Sequence, residues 1–133
     1  MRDLTGAYPP TQEVVDKVHA MFMHALRERI KKIHLVRHLF YPGPGVMLKL
    51  DGLSWKKTIY ISSRLGKDGR TTTLIHELIH FVFKLSDRKK DENKTLKAEA
   101  RLFEKFSEAQ RNAIWRFIPQ KVTIENVNDE KLP

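Results

Sequence analysis

The run Thr71-Thr72-Thr73-Leu74-Ile75-His76-Glu77-Leu78-Ile79-His80-Phe81-Val82-Phe83 constrains this chain more than any other stretch. Its apolar residues suit a buried α-helix with a polar stripe of Thr73, His76, Glu77, His80 and Lys84 along one side. Residues four apart project from one helical face, so the imidazoles of His76 and His80 can reach a single metal ion. Glu77 points close to the same side. A carboxylate there can hold a water at the metal's open position and accept its proton. The plainer reading of the same residues is an ordinary solvated stripe. The two readings part on one requirement, because a two-histidine site needs at least one more protein ligand.

No histidine follows His80; His19, His24, His34 and His38 all precede it. Carboxylates downstream remain, among them Glu99, Glu104 and Glu108. Glu104 and Glu108 have mostly polar neighbours at helical spacing. Glu99 has Leu96 three residues before it, Leu102 three after and Phe103 four after. A carboxylate on an apolar helix face is costly unless something satisfies it, and a metal ion would. An ion pair with Arg70 or Arg101 is the alternative. His34 and His38 repeat the spacing of four, but Lys31, Lys32 and Arg37 beside them would repel a cation. They read as a partly exposed surface pair.

At 133 residues the chain is expected to form a single domain, 1–133, with a core of its own. The absence of cysteine excludes disulfides and Cys-ligated zinc. No apolar run is long enough to span a membrane, and no signal-type hydrophobic region follows Met1. A cytoplasmic location is the expectation. The formal net charge of +9 attracts acidic partners, and weak, non-specific nucleic-acid binding is expected from it. The basic groups at 27–32, 37–38, 56–57 and 88–90 are not interleaved with aromatics as a stacking platform for single strands would be.

Along the chain, residues 1–10 read as a flexible lead-in. Thr11 is a candidate N-cap for a helix running to about His34. Tyr41-Pro42-Gly43-Pro44-Gly45 predicts a break. Strand patterns follow at 46–50 and 57–62, and the stretch 51–55 between them looks too long for a two-residue turn. Gly66-Lys67-Asp68-Gly69 leads into the histidine helix, with Asp68 or Thr71 as cap. Residues 86–93 predict a charged loop, 94–118 one long helix stopped by Pro119, and 122–133 a poorly ordered tail.

With these residues in view, the chain resembles zincin metallopeptidases of the His-His-Glu type, more narrowly the small phage-type members of the ImmA/IrrE-like group. The resemblance covers about residues 57–117. It is carried by Thr58-Ile59-Tyr60-Ile61-Ser62-Ser63-Arg64-Leu65, by Thr73-Leu74-Ile75-His76-Glu77-Leu78-Ile79-His80, and by Ala98-Glu99-Ala100-Arg101 with Ile114-Trp115-Arg116. It implies zinc held by His76, His80 and Glu99, Glu77 as general base, and a polypeptide substrate. The implied fold is α+β and zincin-like, a two- to three-stranded sheet packed on the motif helix with further helices at both ends. One departure is Ile79, where the group commonly has Gly; a bulky residue there could narrow the approach to the metal. Tyr41, Tyr60 and His38 are candidates for stabilising an oxyanion. The competing expectation, from a different class, is a basic nucleic-acid- or protein-binding module that keeps a structural zinc site. A DNA-associated protease stands between the two.

Overall fold

A computed structural model describes residues 10–43, 46–86 and 88–128. The elements are α1 (Gln12–His24), β1 (Lys32–Gly43), β2 (Val46–Lys49), β3 (Gly52–Trp55), β4 (Thr58–Ser62), α2 (Lys67–Phe83), α3 (Lys89–Lys105), α4 (Glu108–Trp115) and β5 (Ile124–Asn128). The class is α+β, as expected. The sheet is larger than expected: among the described residues it has five strands, with the hydrogen-bonded order β2-β1-β4-β3 and β5 joined to β1.

The difference comes chiefly from β1. Thr11 caps α1 as foreseen, its hydroxyl accepting from the Val14 N–H at 3.2 Å. The helix does not reach His34, however. It loosens into a π-turn at Ala25–Arg29, and Ile30 is already extended. From there Ile33 and Leu35 alternate with His34 and Val36, the period of a strand. β1 is long enough to take three partners: β4 in parallel at 32–36, β5 in parallel at 36–40, and β2 antiparallel at 40–43. The predicted break survives only as the connection from β1 to β2, since Tyr41, Pro42 and Gly43 belong to β1. Pro44 and Gly45 lie outside the described residues.

The stretch before β4 also differs from expectation. Residues 52–55 are themselves a strand, paired antiparallel to β4 with Trp55 opposite Thr58. That leaves a two-residue turn, Lys56-Lys57, both at positive φ (48° and 66°). Positive φ at both central positions is the geometry whose twist matches a hairpin, here taken up by two lysines instead of Asn-Gly.

The expected long final helix is two. α3 ends at Lys105, Phe106 is extended, and Ser107 opens α4 with a capping box: its hydroxyl accepts from Gln110 N–H while Gln110 accepts from the Ser107 N–H. The tail expected from 122 contains β5, which Thr123 ties to β1 through its N–H to the Leu35 carbonyl at 2.8 Å. Residues 1–9 and 129–133 lie outside the described ones.

Alternation gives the sheet two unlike faces. Leu35, Ile59 and Ile61 join the main core with Val15, Val18 and Phe22 of α1, Leu74, Ile75, Leu78 and Ile79 of α2, Ala98 and Leu102 of α3, and Ile114 of α4. Val36, Leu39, Tyr60 and Val127 form a separate small cluster. Among the described residues, no helix is long and apolar enough to cross a membrane.

Candidate metal centre

α2 is anchored by its apolar positions and presents the histidine side to α3. Its N-cap is Gly66, without a side-chain cap bond. Asp68 falls in the first turn instead, and Thr71 turns its hydroxyl back to the Lys67 carbonyl at 2.9 Å, so neither expected cap is used. Arg70 donates to the carbonyls of Leu65 and Ser63, at 2.7 and 2.8 Å, and so fixes the loop that delivers β4 to α2. This use of Arg70 removes it as the foreseen ionic partner of Glu99.

Apart from the exposed Lys84, the polar stripe is not solvated. Thr73, Glu77 and His80 are buried, and His76 is half-buried. α3 brings Glu92 onto the two histidines, and Gly52 of β3 lies against Thr73 and Glu77. Ile79 is fully buried in the main core and does not line the cavity beside His76. The foreseen narrowing at Ile79 therefore has no structural basis, because the position faces away from the histidines.

Three side chains converge: His76, His80 and Glu92. The two Nε2 atoms are 3.2 Å apart. Glu92 Oε1 lies 2.8 Å from His76 Nε2, and Glu92 Oε2 lies 3.0 Å from His80 Nε2. Glu99, which sequence placed third, reaches the opposite side of the same ring: its Oε2 lies 3.5 Å from His76 Nδ1. Glu92 and Glu99 are seven residues apart on α3 and share a face. The apolar neighbours that singled out Glu99 are mostly missing around Glu92, which has Arg88 and Lys89 on one side and Thr95 and Leu96 on the other. Glu92 escaped notice because it sits in 86–93, a charge run that reads as a loop; α3 in fact starts at Lys89.

The hydrogen bonding sets the tautomer of a neutral His80. His80 Nδ1 is 2.9 Å from the Leu85 carbonyl. A carbonyl only accepts, so Nδ1 carries the proton and a neutral His80 has a bare lone pair at Nε2. That lone pair faces a carboxylate oxygen and the other imidazole's Nε2. Acceptors this close repel unless a positive charge lies among them. One candidate is a proton. Burial works to lower the His76 pKa, but the hydrogen bond to Glu99 and the charges of Glu77, Glu92 and Glu99 hold it above its ordinary value. The other candidate is a metal ion. Around zinc, Zn–N distances of about 2.0–2.1 Å with tetrahedral angles put neighbouring ligand atoms about 3.3 Å apart. The observed separations of 2.8–3.2 Å are close to that edge. The donor set and its spacing therefore fit a divalent ion, and Glu99 stands where a carboxylate would orient a ligand imidazole.

A cavity of about 240 Å³ opens beside His76, and Glu77 lines it. β3 forms part of its wall through Gly52. A Cβ at position 52 would come within 2.4 Å of Thr73 Cγ2 and 3.6 Å of Glu77 Cγ. Only glycine lets β3 come this close to the motif helix.

The remaining expectations lie elsewhere. His34 and His38 stand on a strand, where residues four apart are about 13 Å apart along the chain, so they do not form a chelating pair. His34 stacks on Tyr60 and bonds Thr123 Oγ1 at 3.0 Å; His38 stacks on Phe40. Tyr60 belongs to the small cluster and His38 to a different cavity, so neither lines the metal cavity. The side chain of Tyr41 is outside the described ones.

No protein-family model, curated protein or solved structure matches the chain.

Proposed function

We propose that the protein is a zinc-dependent peptidase. The observation that carries this reading is the convergence of His76, His80 and Glu92 beside a cavity lined by Glu77. His76 and His80 would hold the ion through Nε2 and Glu92 through its carboxylate, while Glu99 orients His76 at Nδ1. A zinc ion there supplies Lewis acidity: it lowers the pKa of water and polarises a carbonyl. The chain's own part falls to Glu77. Its carboxylate accepts the water proton and returns it to the leaving amine. Burial against Gly52 of β3 keeps that carboxylate in a low-dielectric setting, where its charge acts strongly on the reacting atoms.

The test is metal content together with cleavage of a broad peptide library near neutral pH. Glu77→Gln should keep zinc and fold while cleavage falls about a hundredfold or more, the scale of a lost general base. His76→Ala should lose both zinc and activity. Glu92→Ala should weaken zinc binding more than Glu99→Ala, as ligand and orienting residue differ. The reverse order would make Glu99 the third ligand, as its apolar helix face suggests. A folded wild-type chain that binds no zinc would sink the reading altogether.

A further inference from the structure

Two basic pairs that stand far apart in the sequence meet at one end of the sheet. The Lys31 N–H donates to the Lys57 carbonyl at 2.8 Å, and Lys32 pairs with Thr58, which in turn faces Trp55 across the hairpin. Lys31, Lys32, Lys56 and Lys57 are all exposed, and among the described residues none of the four is in an ion pair. Trp55 beside them is 42% exposed. The Lys56 ammonium lies 5.7 Å from the centre of its ring.

Strand pairing fixes which way this group looks. Ile59 and Ile61 enter the helical core, so Thr58 and Tyr60 point to the other face, and their partners Lys32, His34, Leu53 and Trp55 go with them. Gly52, three residues before Trp55, lies on the helical face at the metal cavity. The lysines and Trp55 therefore stand on the side away from the metal group. In the next row along their face, the rings of His34 and Tyr60 stack with centres 5.6 Å apart. The small cluster to which Tyr60 belongs draws no described residue from any helix.

The turn supplies a second observation. Lys56 and Lys57 both hold positive φ, where a Cβ is crowded and where Asn-Gly would sit with less strain. Strain of this kind clusters at sites that bind ligands. Four ammonium groups round an exposed indole match a polyanion that also offers a flat ring. Lysines neutralise phosphates, and an indole stacks on a base. The base must be unpaired, because a duplex keeps its bases stacked on one another. An anionic membrane would need a broader apolar surface than one indole provides.

We infer that this end of the sheet binds single-stranded nucleic acid, with a base on Trp55 and the neighbouring phosphates on Lys31, Lys32, Lys56 and Lys57. The inference goes beyond the peptidase reading and does not depend on it, since the two sites lie on opposite faces of the sheet.

The test titrates the whole chain into a fluorescein-labelled oligothymidylate of about twelve nucleotides, inside the usual range of site sizes, and follows anisotropy. Binding should weaken with salt at a log–log slope of about −2 to −3, as three or four phosphate contacts on a single strand give. Trp55→Ala should weaken it about tenfold and leave the slope unchanged. Lys56→Asn with Lys57→Gly is the sharpest variant. It relaxes the turn, so stability to urea should rise while binding falls and the slope shrinks by roughly 1.4. Wild-type affinity in that variant or in Trp55→Ala would overturn the proposal. So would an equal loss from Lys89→Gln with Lys90→Gln, which removes the same charge from the start of α3. A duplex of the same length that binds as tightly would overturn it too, as would phosphatidylserine vesicles that bind where the oligonucleotide does not.

Discussion

The two faces of the sheet hold unlike amounts of the molecule. On one, Leu35, Ile59 and Ile61 share with the four described helices a core that also fully buries Leu74, Ile75, Leu78 and Ile79. On the other, Val36, Leu39, Tyr60 and Val127 make a small cluster completed by the C-terminal strand. The candidate metal group belongs to the first side. Donor atoms must hold their spacing to a few tenths of an ångström, which a side chain on a well-packed helix can do and one on a thinly covered strand cannot. The contrast predicts that damage on the helical side reaches the site and damage on the other side stops at stability.

The largest effect is expected at Leu78, which neighbours Glu77 and is fully buried. Leu78→Ala should cost about 2–5 kcal/mol in urea unfolding and weaken zinc binding as α2 settles into the cavity left behind. Val127→Ala should cost about 1–2 kcal/mol and leave zinc affinity at the wild-type value. Matching losses of zinc affinity in the two variants would break the contrast between the faces.

The smallest effect concerns the joint between the two helices of the site. Asp91 accepts hydrogen bonds from the Ser86 N–H at 3.0 Å and the Ser86 hydroxyl at 2.8 Å, which hold its carboxyl below the ordinary value of 3.8; Lys94 and Lys90 add to this. A carboxyl lowered by folding stabilises the native state above its unfolded pKa, and that contribution is lost as pH falls through the folded value. Asp91→Asn should therefore flatten the acid limb of stability below about pH 4 and leave the neutral limb's slope unchanged. An acid limb as steep in Asp91→Asn as in wild type would remove Asp91 from the account.

What the sequence showed follows the same division. His76, Glu77 and His80 were legible because their spacing is fixed by one helix and needs no partner. Glu99 was legible as a carboxylate misplaced on an apolar face. Glu92 was not, because a charge run resembles a loop until a neighbouring helix gives one of its members a role. β1 was missed for a related reason. Residues 32–43 mix basic and apolar side chains, and partners as far away as 124–128 decide that they form a strand. β5, with Ile124 and Val127 as its apolar residues, becomes a strand only beside β1. The break between α3 and α4 did leave a local mark: Ser107 and Gln110 are spaced as a capping box.

The bond from His80 to Leu85 has a consequence for how the molecule assembles. Lys84 adopts the left-handed conformation that ends α2, and Leu85 then both donates its N–H to the His80 carbonyl and accepts from the His80 ring. The tautomer of that imidazole is thus fixed by a carbonyl five residues along the chain, without help from the sheet. Glu92 arrives from the next helix only twelve residues after His80, so closing that loop costs little chain entropy. A chain that has formed only the hairpin of α2 and α3 already has all three converging donors within reach. On the proposed zinc reading, metal capture would favour folding from this local hairpin, before β1 has found its distant partners, because contacts close in sequence form ahead of those that must be gathered from far along the chain.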